Sequence, residues 1–182
     1  DARLWSQEVA KELLGMVQHP KVVAMGEMGL DYHYDYSERS VQKTVLREQV
    51  RLAKDSALPI IIHDRDTQGE TLEILLEEDA FDTGVLFHCF CGDVDEMNSI
   101  VCHGGFISIP GIVTFRNADR MKAVVSAAPL ERLLIETDSP FLTPVPHRGR
   151  RNEPAFVVHV AQKIAELRGA DLQSVIRITT KN

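Results

Sequence analysis

The chain has 182 residues, 44% of them hydrophobic, and a formal net charge of -7 at pH 7. That length and apolar share fit a single domain over residues 1–182 with a sizeable core, and leave no room for a second independent one. The acidic balance excludes sequence-independent adhesion to nucleic acid or to an anionic membrane, because no global excess of Lys and Arg exists to release counterions.

The first helical pattern runs over residues 3–18, with Trp5, Val9, Leu13 and Met16 on one face, and His19-Pro20 stops it. A short apolar run at 22–25 follows and reads as a strand buried on both faces, which is the habit of parallel strands. It delivers Glu27 into a loop rich in acids and aromatics. Residues 38–56 are a second helix, with Val41, Val45, Leu52 and Ala53 as its apolar set, and Leu58-Pro59 breaks it into a strand at 60–62 that ends at His63.

The unit then repeats. A helix at 71–78 precedes a strand at 85–87 ending at His88; helices at 93–102 and 118–127 precede strands at 106–109 and 133–135. The last of these strands runs into Glu136-Thr137-Asp138-Ser139-Pro140. A long loop carries Pro144, Pro146 and the basic group Arg148, Arg150 and Arg151 before a helix at 155–168, and Asp171 caps a final helix. Short apolar strands alternating with amphipathic helices specify right-handed βαβ units and a parallel sheet. A complete (β/α)8 barrel takes roughly 250 residues, so the pattern predicts a TIM-type barrel that is incomplete, with about five of eight βα units present. An open doubly wound sheet would collect its ligands at one switch point, not at nearly every strand end.

Cys89, Cys91 and Cys102 are odd in number and fit reduced thiols and a cytoplasmic location better than a disulfide framework. Cys89-Phe90-Cys91 is half of a zinc motif with no second pair to complete it. No apolar run approaches the roughly 20 residues that cross a bilayer, so no membrane is expected as a partner. The chain opens at Asp1, not Met, which leads us to expect that a natural N-terminus, with any targeting segment, is missing.

Taken singly, Glu27 reads equally well as a salt-bridging group, His63 and His88 as hydrogen-bonded loop histidines, and Asp138 as the start of a turn. Together they place an imidazole or carboxylate at four strand ends, a donor set suited to a divalent metal such as zinc or manganese. Arg148, Arg150 and Arg151 beyond Asp138, and Arg65 beyond His63, are candidates to hold phosphate; the alternatives are a solvated loop and, for Arg65, pairing with Asp64 or Asp66. Met25, Met28, Phe87, Phe90 and Phe106 read as core. Tyr32, Tyr34 and Tyr36 lie where one of them could stack a base.

Five ordered motifs carry a family resemblance: Gly26-Glu27-Met28-Gly29-Leu30-Asp31-Tyr32, Pro59-Ile60-Ile61-Ile62-His63-Asp64-Arg65, His88-Cys89-Phe90-Cys91-Gly92, Glu136-Thr137-Asp138-Ser139-Pro140 and Arg151-Asn152-Glu153-Pro154. The chain resembles, over essentially its whole length, the TatD family of metal-dependent deoxyribonucleases in the amidohydrolase-like barrel superfamily. The resemblance implies a (β/α)8 barrel with one or two divalent metal ions (Mg2+, Mn2+ or Zn2+) at its C-terminal face, hydrolysing phosphodiester bonds in DNA from a 3′ end. Residue by residue, Glu27 is similar to the carboxylate that bridges two metals, His63 and His88 to the other ligands of one, and Asp138 to a ligand of the second that also orients the attacking water.

The family's His-x-His pair has no counterpart, since His19, His33, His103, His147 and His159 are isolated. With the shortfall of about three βα units, this predicts an N-terminal truncation, one nearly complete metal site and a fragment of another. Two other readings remain: a metal hydrolase of the same superfamily acting on an amide, lactam or ester, and an inactive truncated fragment that binds metal without turnover. The unpaired strand edges of an opened barrel further predict self-association.

Overall fold

Ser6 starts the first helix by accepting the Val9 N–H on its hydroxyl, which satisfies one of the donors a helix leaves unpaired at its N-terminus. In this computed structural model, which describes residues 2–182, the chain falls into two units, Asp1–Phe87 and His88–Asn182.

The first unit contains α1 (Gln7–Met16), β1 (Met25–Asp31), α2 (Arg39–Asp55), β2 (Ile60–Arg65), α3 (Glu70–Glu77) and β3 (Val85–Phe87), with β1 parallel to β2 and β2 parallel to β3. Its core is made by Leu30 on β1, Leu46 and Val50 on α2, Ile60 and Ile62 on β2 and Leu75 on α3, all fully buried, with Phe87 1% exposed. Each such side chain contributes about 1.5–3 kcal/mol on leaving water. The buried face of α2 is Val45, Leu46, Val50 and Ala53; Val41, expected on that face, is exposed. Gln42 also lies inside, and its amide is fully used: Oε1 accepts the Asp31 N–H at 2.8 Å while Nε2 donates to the Asp31 and Ser37 carbonyls. A buried amide without those partners would cost about 1–3 kcal/mol; with them it pins the end of β1 to α2.

The first strand is not where the apolar run placed it. Val23 is 75% exposed, and pairing begins at Met25, whose N–H donates to the Pro59 carbonyl. β1 is the sequence Met-Gly-Glu-Met-Gly-Leu-Asp, poor in strand formers, and the glycines explain why it still pairs so closely. A Cβ on Gly29 would stand 1.7 Å from the His63 carbonyl oxygen, and one on Gly26 2.6 Å from the Ile61 Cβ. No other residue fits either position without moving β2. Glu27 and His63 therefore lie within strands, not beyond their ends.

The second unit contains α4 (Val94–Cys102), β4 (Phe106–Ile109), α5 (Asp119–Ala127), β5 (Leu133–Ile135), α6 (Val157–Arg168) and α7 (Leu172–Lys181). Asp171 caps α7 as expected, and Asp93, expected as the first residue of its helix, is instead the cap of α4; both accept N–H groups of the first turn. β4 and β5 are parallel, with Ile107 opposite Leu133 and Ile109 opposite Ile135. Met97, Ile100, Ile107, Ile109, Leu133 and Ile164 are fully buried and form its core. Phe90 is buried as expected, while Phe106 is only partly so and lies under the Arg132 guanidinium. Among the described residues, no helix is long and apolar enough to cross a membrane.

Candidate metal centre

In the first unit the site begins with a bulge. Pairing of β1 with β2 passes from Met25 opposite Ile60 to Met28 opposite Ile62, so three steps on β1 face two on β2. The extra residue falls at Gly26-Glu27, and a bulge of this kind turns a side chain away from the regular alternation. Glu27 Oε2 lies 3.5 Å from His63 Nδ1, and the other ring nitrogen, Nε2, is 3.0 Å from Asp31 Oδ2. The Glu27 carboxylate raises the His63 pKa above its usual value, burial works against it, and Asp31 adds to Glu27. Burial would raise the Asp31 pKa, but the Tyr34 N–H, His63 and the His33 N–H together outweigh it and hold the carboxyl low.

Asp31 was not among the expected site residues. Its signal in the sequence was faint: Glu27, Gly29 and Asp31 share one parity along a strand, and so one face. That signal required knowing that the strand reached Asp31.

In the second unit His88, Glu136 and Asp138 each offer a ligand atom, and these atoms lie within 4.8 Å of one another. Glu136 arrives there because its N–H donates to the Ile109 carbonyl, which continues the β4–β5 pairing by one residue. Its Oε2 accepts the Cys89 N–H at 3.1 Å. Its Oε1 is buried without a hydrogen-bond donor, and His88 Nδ1 stands at 3.5 Å, too far for a hydrogen bond and close enough for strong electrostatic attraction. Burial pushes the Glu136 pKa up, yet His88, the Ser108 hydroxyl and the Cys89 N–H outweigh it, so the group stays ionised.

Asp138 stands at φ 54°, in the left-handed region that a non-glycine residue occupies at a cost of about 1–2 kcal/mol. Asn152 holds it there. Its buried amide nitrogen donates to the Thr137 carbonyl at 2.8 Å and the Phe141 carbonyl at 2.5 Å, one on each side of Asp138. His88, Glu136 and Asp138 line an open cleft of about 500 Å³ together with Ser139, Pro154 and Val157.

This donor set fits a divalent cation on two grounds. Two carboxylates and an imidazole converge, and a buried carboxylate oxygen lacks the donor that such atoms otherwise find. The cysteines are outside it: the ligand groups gathered among the described residues contain none. Cys91 and burial push the Cys89 thiol pKa upward, which keeps it protonated and a poor ligand.

The arginines divide. Arg148 Nη1 donates to the Thr143 carbonyl and its guanidinium lies 4.0 Å from the Phe115 ring centroid, so it braces its own loop. Arg150 and Arg151 are exposed. Arg65 pairs with neither Asp64 nor Asp66: it lies 4.8 Å from the Tyr34 ring centroid, while Asp66 meets His33 Nδ1 and Asp64 accepts the hydroxyls of Thr67 and Thr71.

The sequence pattern of TatD-related DNases matches residues 1–182. The chain belongs to the TatD family. It is 50% identical over 164 residues to the "Uncharacterized metal-dependent hydrolase YabD" of Bacillus subtilis, a match that covers 90% of this chain and 64% of that protein. It is 33% identical over 187 residues to the "3'-5' ssDNA/RNA exonuclease TatD" of Enterobacter lignolyticus, covering 100% of this chain and 72% of that one. The crystal structure of YJJV, a TatD homologue from Escherichia coli K12, superposes with a TM-score of 0.89 at 30% identity, over 97% of this chain and 69% of that one. The chain thus spans 64% of the length of the Bacillus relative. Its fold is that of TatD barrels, in the α/β class read from the alternation of strands and helices, with five strands among the described residues.

Proposed function

We propose that this TatD-family chain is part of a divalent-metal-dependent hydrolase that cleaves phosphodiester bonds in DNA from a 3′ end. The observation that carries the reading is the His88, Glu136 and Asp138 cluster with its buried, donorless carboxylate oxygen. Membership of a family named for DNases, and one relative named as a 3′-5′ exonuclease, support the choice of substrate.

In this reading Glu27 and His63 of the first unit, and His88 and Asp138 of the second, are metal ligands, and Glu136 Oε1, which has no hydrogen-bond donor, is a further ligand atom beside His88 and Asp138. One or two ions of Mg2+, Mn2+ or Zn2+, when bound, supply charge neutralisation of the phosphodiester and acidification of water. The chain does the rest. Glu136 fixes the backbone at Cys89 and holds negative charge against His88, and Asn152 holds the strained Asp138 so that its carboxylate can accept a hydrogen bond from the attacking water. Arg150 and Arg151, with Arg148 ordering their loop, supply local positive charge for phosphate on an otherwise acidic chain.

The test pairs two measurements on one preparation: bound metal per chain, and release of nucleotides from 3′-labelled single-stranded DNA with Mg2+, Mn2+ or Zn2+. The expected result is metal-dependent release that falls at least about 100-fold in His88→Ala and Asp138→Asn, the scale on which enzymes lose rate when a principal electrostatic contact is removed. Stoichiometric metal without any release of nucleotides would overturn the nuclease reading, as would turnover confined to amides, lactams or esters.

A further inference from the structure

Tyr34 and Tyr36, in the loop that leaves β1, are 52% and 67% exposed, yet their rings are ordered against each other, with parallel planes and centroids 5.3 Å apart. Exposed aromatic surface is unfavourable in water unless something covers it. The loop is also built to hold these rings in place. Asp31 Oδ1 accepts the backbone N–H groups of both His33 and Tyr34, at 3.0 and 2.9 Å, while Oδ2 of the same carboxylate bonds His63. The His33 ring stands edge-on to Tyr34 at 4.9 Å and is tied by Nδ1 to Asp66. Arg65 lies over the Tyr34 ring and, among the described residues, forms no ion pair, so its charge remains available to an anion. One carboxylate thus couples the tyrosine pair to the histidine proposed above as a metal ligand.

Parallel planes matter to what the pair can take. An edge-to-face pair closes on itself, whereas a parallel pair presents a face on which another flat ring continues the stack. The ligand that combines flat rings at regular spacing with an anionic backbone is a single-stranded nucleic acid. We propose that Tyr36, backed by Tyr34, is a stacking platform for an unpaired base of single-stranded nucleic acid, with Arg65 contacting a phosphate of the same strand. This deepens the nuclease reading and rests on it for the direction in which the strand is used. A paired base cannot use the platform, because both of its faces are already stacked, and so the platform selects single strands.

The experiment measures binding without cleavage: fluorescence anisotropy of a labelled oligodeoxythymidylate with the protein in EDTA. Tyr36→Ala should weaken binding about 5- to 150-fold, the range that follows from the loss of one base–aromatic contact. Tyr36→Phe should stay within about twofold of wild type because the ring remains. An abasic oligonucleotide should bind wild type and Tyr36→Ala equally weakly. Arg65→Ala should lower the slope of log affinity against log salt by about one. Quenching of tyrosine fluorescence on titrating wild type with the oligonucleotide gives a second reading that needs no variant.

Wild-type affinity in Tyr36→Ala, equal binding of abasic and thymidylate strands, or no binding by wild type would each overturn the platform. Turnover in the metal assay without a Tyr36 effect on binding removes the platform and keeps the hydrolase. Base-dependent binding without turnover does the reverse.

Discussion

Replacing Asp31 tests whether the first unit is organised as described. Its carboxylate makes three contacts: 3.0 Å to His63 Nε2, 3.0 Å to the His33 N–H and 2.9 Å to the Tyr34 N–H. A hydrogen bond to a charged group is worth about 1.5–3 kcal/mol net, but His63 keeps Glu27 as a second partner, which reduces that contribution to about 1–1.5 kcal/mol. The two backbone donors sit in an exposed turn and regain water, so they contribute about 0.5 kcal/mol each. Asp31→Ala should therefore cost about 2–2.5 kcal/mol. Asp31→Asn keeps an acceptor for the turn and loses only the charge toward His63, for a cost of about 1 kcal/mol. The backbone at this position stays anchored by Gln42 in both variants, so the strand end should not unravel.

Urea unfolding in EDTA, followed by tyrosine fluorescence, reads the difference as midpoint shifts of about 1 M for Ala and about 0.5 M for Asn, at a denaturant slope of about 2 kcal/mol per M. Identical midpoints for Asn and Ala would refute the division of labour between turn and imidazole. A shift below about 0.2 M in Asp31→Ala would refute the carboxylate's role altogether.

Three further outcomes follow from the same geometry. The Arg51 guanidinium lowers the pKa of Glu78, burial opposes it and Arg47 adds to Arg51. A carboxylate held low binds fewer protons folded than unfolded, so its contribution is present above the ordinary value of about 4.3 and is lost as pH falls through the folded value. Glu78→Gln should therefore cost about 1 kcal/mol at pH 7, discounted because Arg51 is 62% exposed, and nothing near pH 2; a cost independent of pH would count against the ion pair. Gly29→Ala drives a methyl into the His63 carbonyl and should cost about 3 kcal/mol or more, seen as a melting temperature lowered by many degrees or as loss of folded protein; a melt like wild type would show that β1 and β2 do not approach as described. Among the described residues of its unit β1 pairs with a strand on one side only, and sedimentation velocity over a range of concentrations should show association through such an edge; a single monomeric peak at every concentration would contradict it.

The strands at Val85–Phe87, Phe106–Ile109 and Leu133–Ile135 were legible to the residue from local composition, because each is a short apolar run closed by turn residues or acids, and local chemistry is enough to define such a segment. The cap at Asp171 was legible too, as were, through the ordered motifs, the family and the barrel class; Asp93, read as the first residue of a helix, is the cap of α4.

β1 was beyond its reach. Two glycines and two acids give Met25–Asp31 almost no strand preference of its own; what makes it a strand is the surface of β2, against which only glycine fits at two positions. Because the strand lies later than the apolar run, Asp31 changes from a loop acid into the partner of His63, and the tyrosines after it become an ordered pair. Glu136 changes likewise, from the first residue of the Glu136-Thr137-Asp138-Ser139-Pro140 motif into a buried carboxylate with an unsatisfied oxygen, since only the folded chain brings the Cys89 N–H to it from 47 residues away and His88 beside it. Composition and periodicity report what a residue prefers, and only tertiary packing decides which partners it is given.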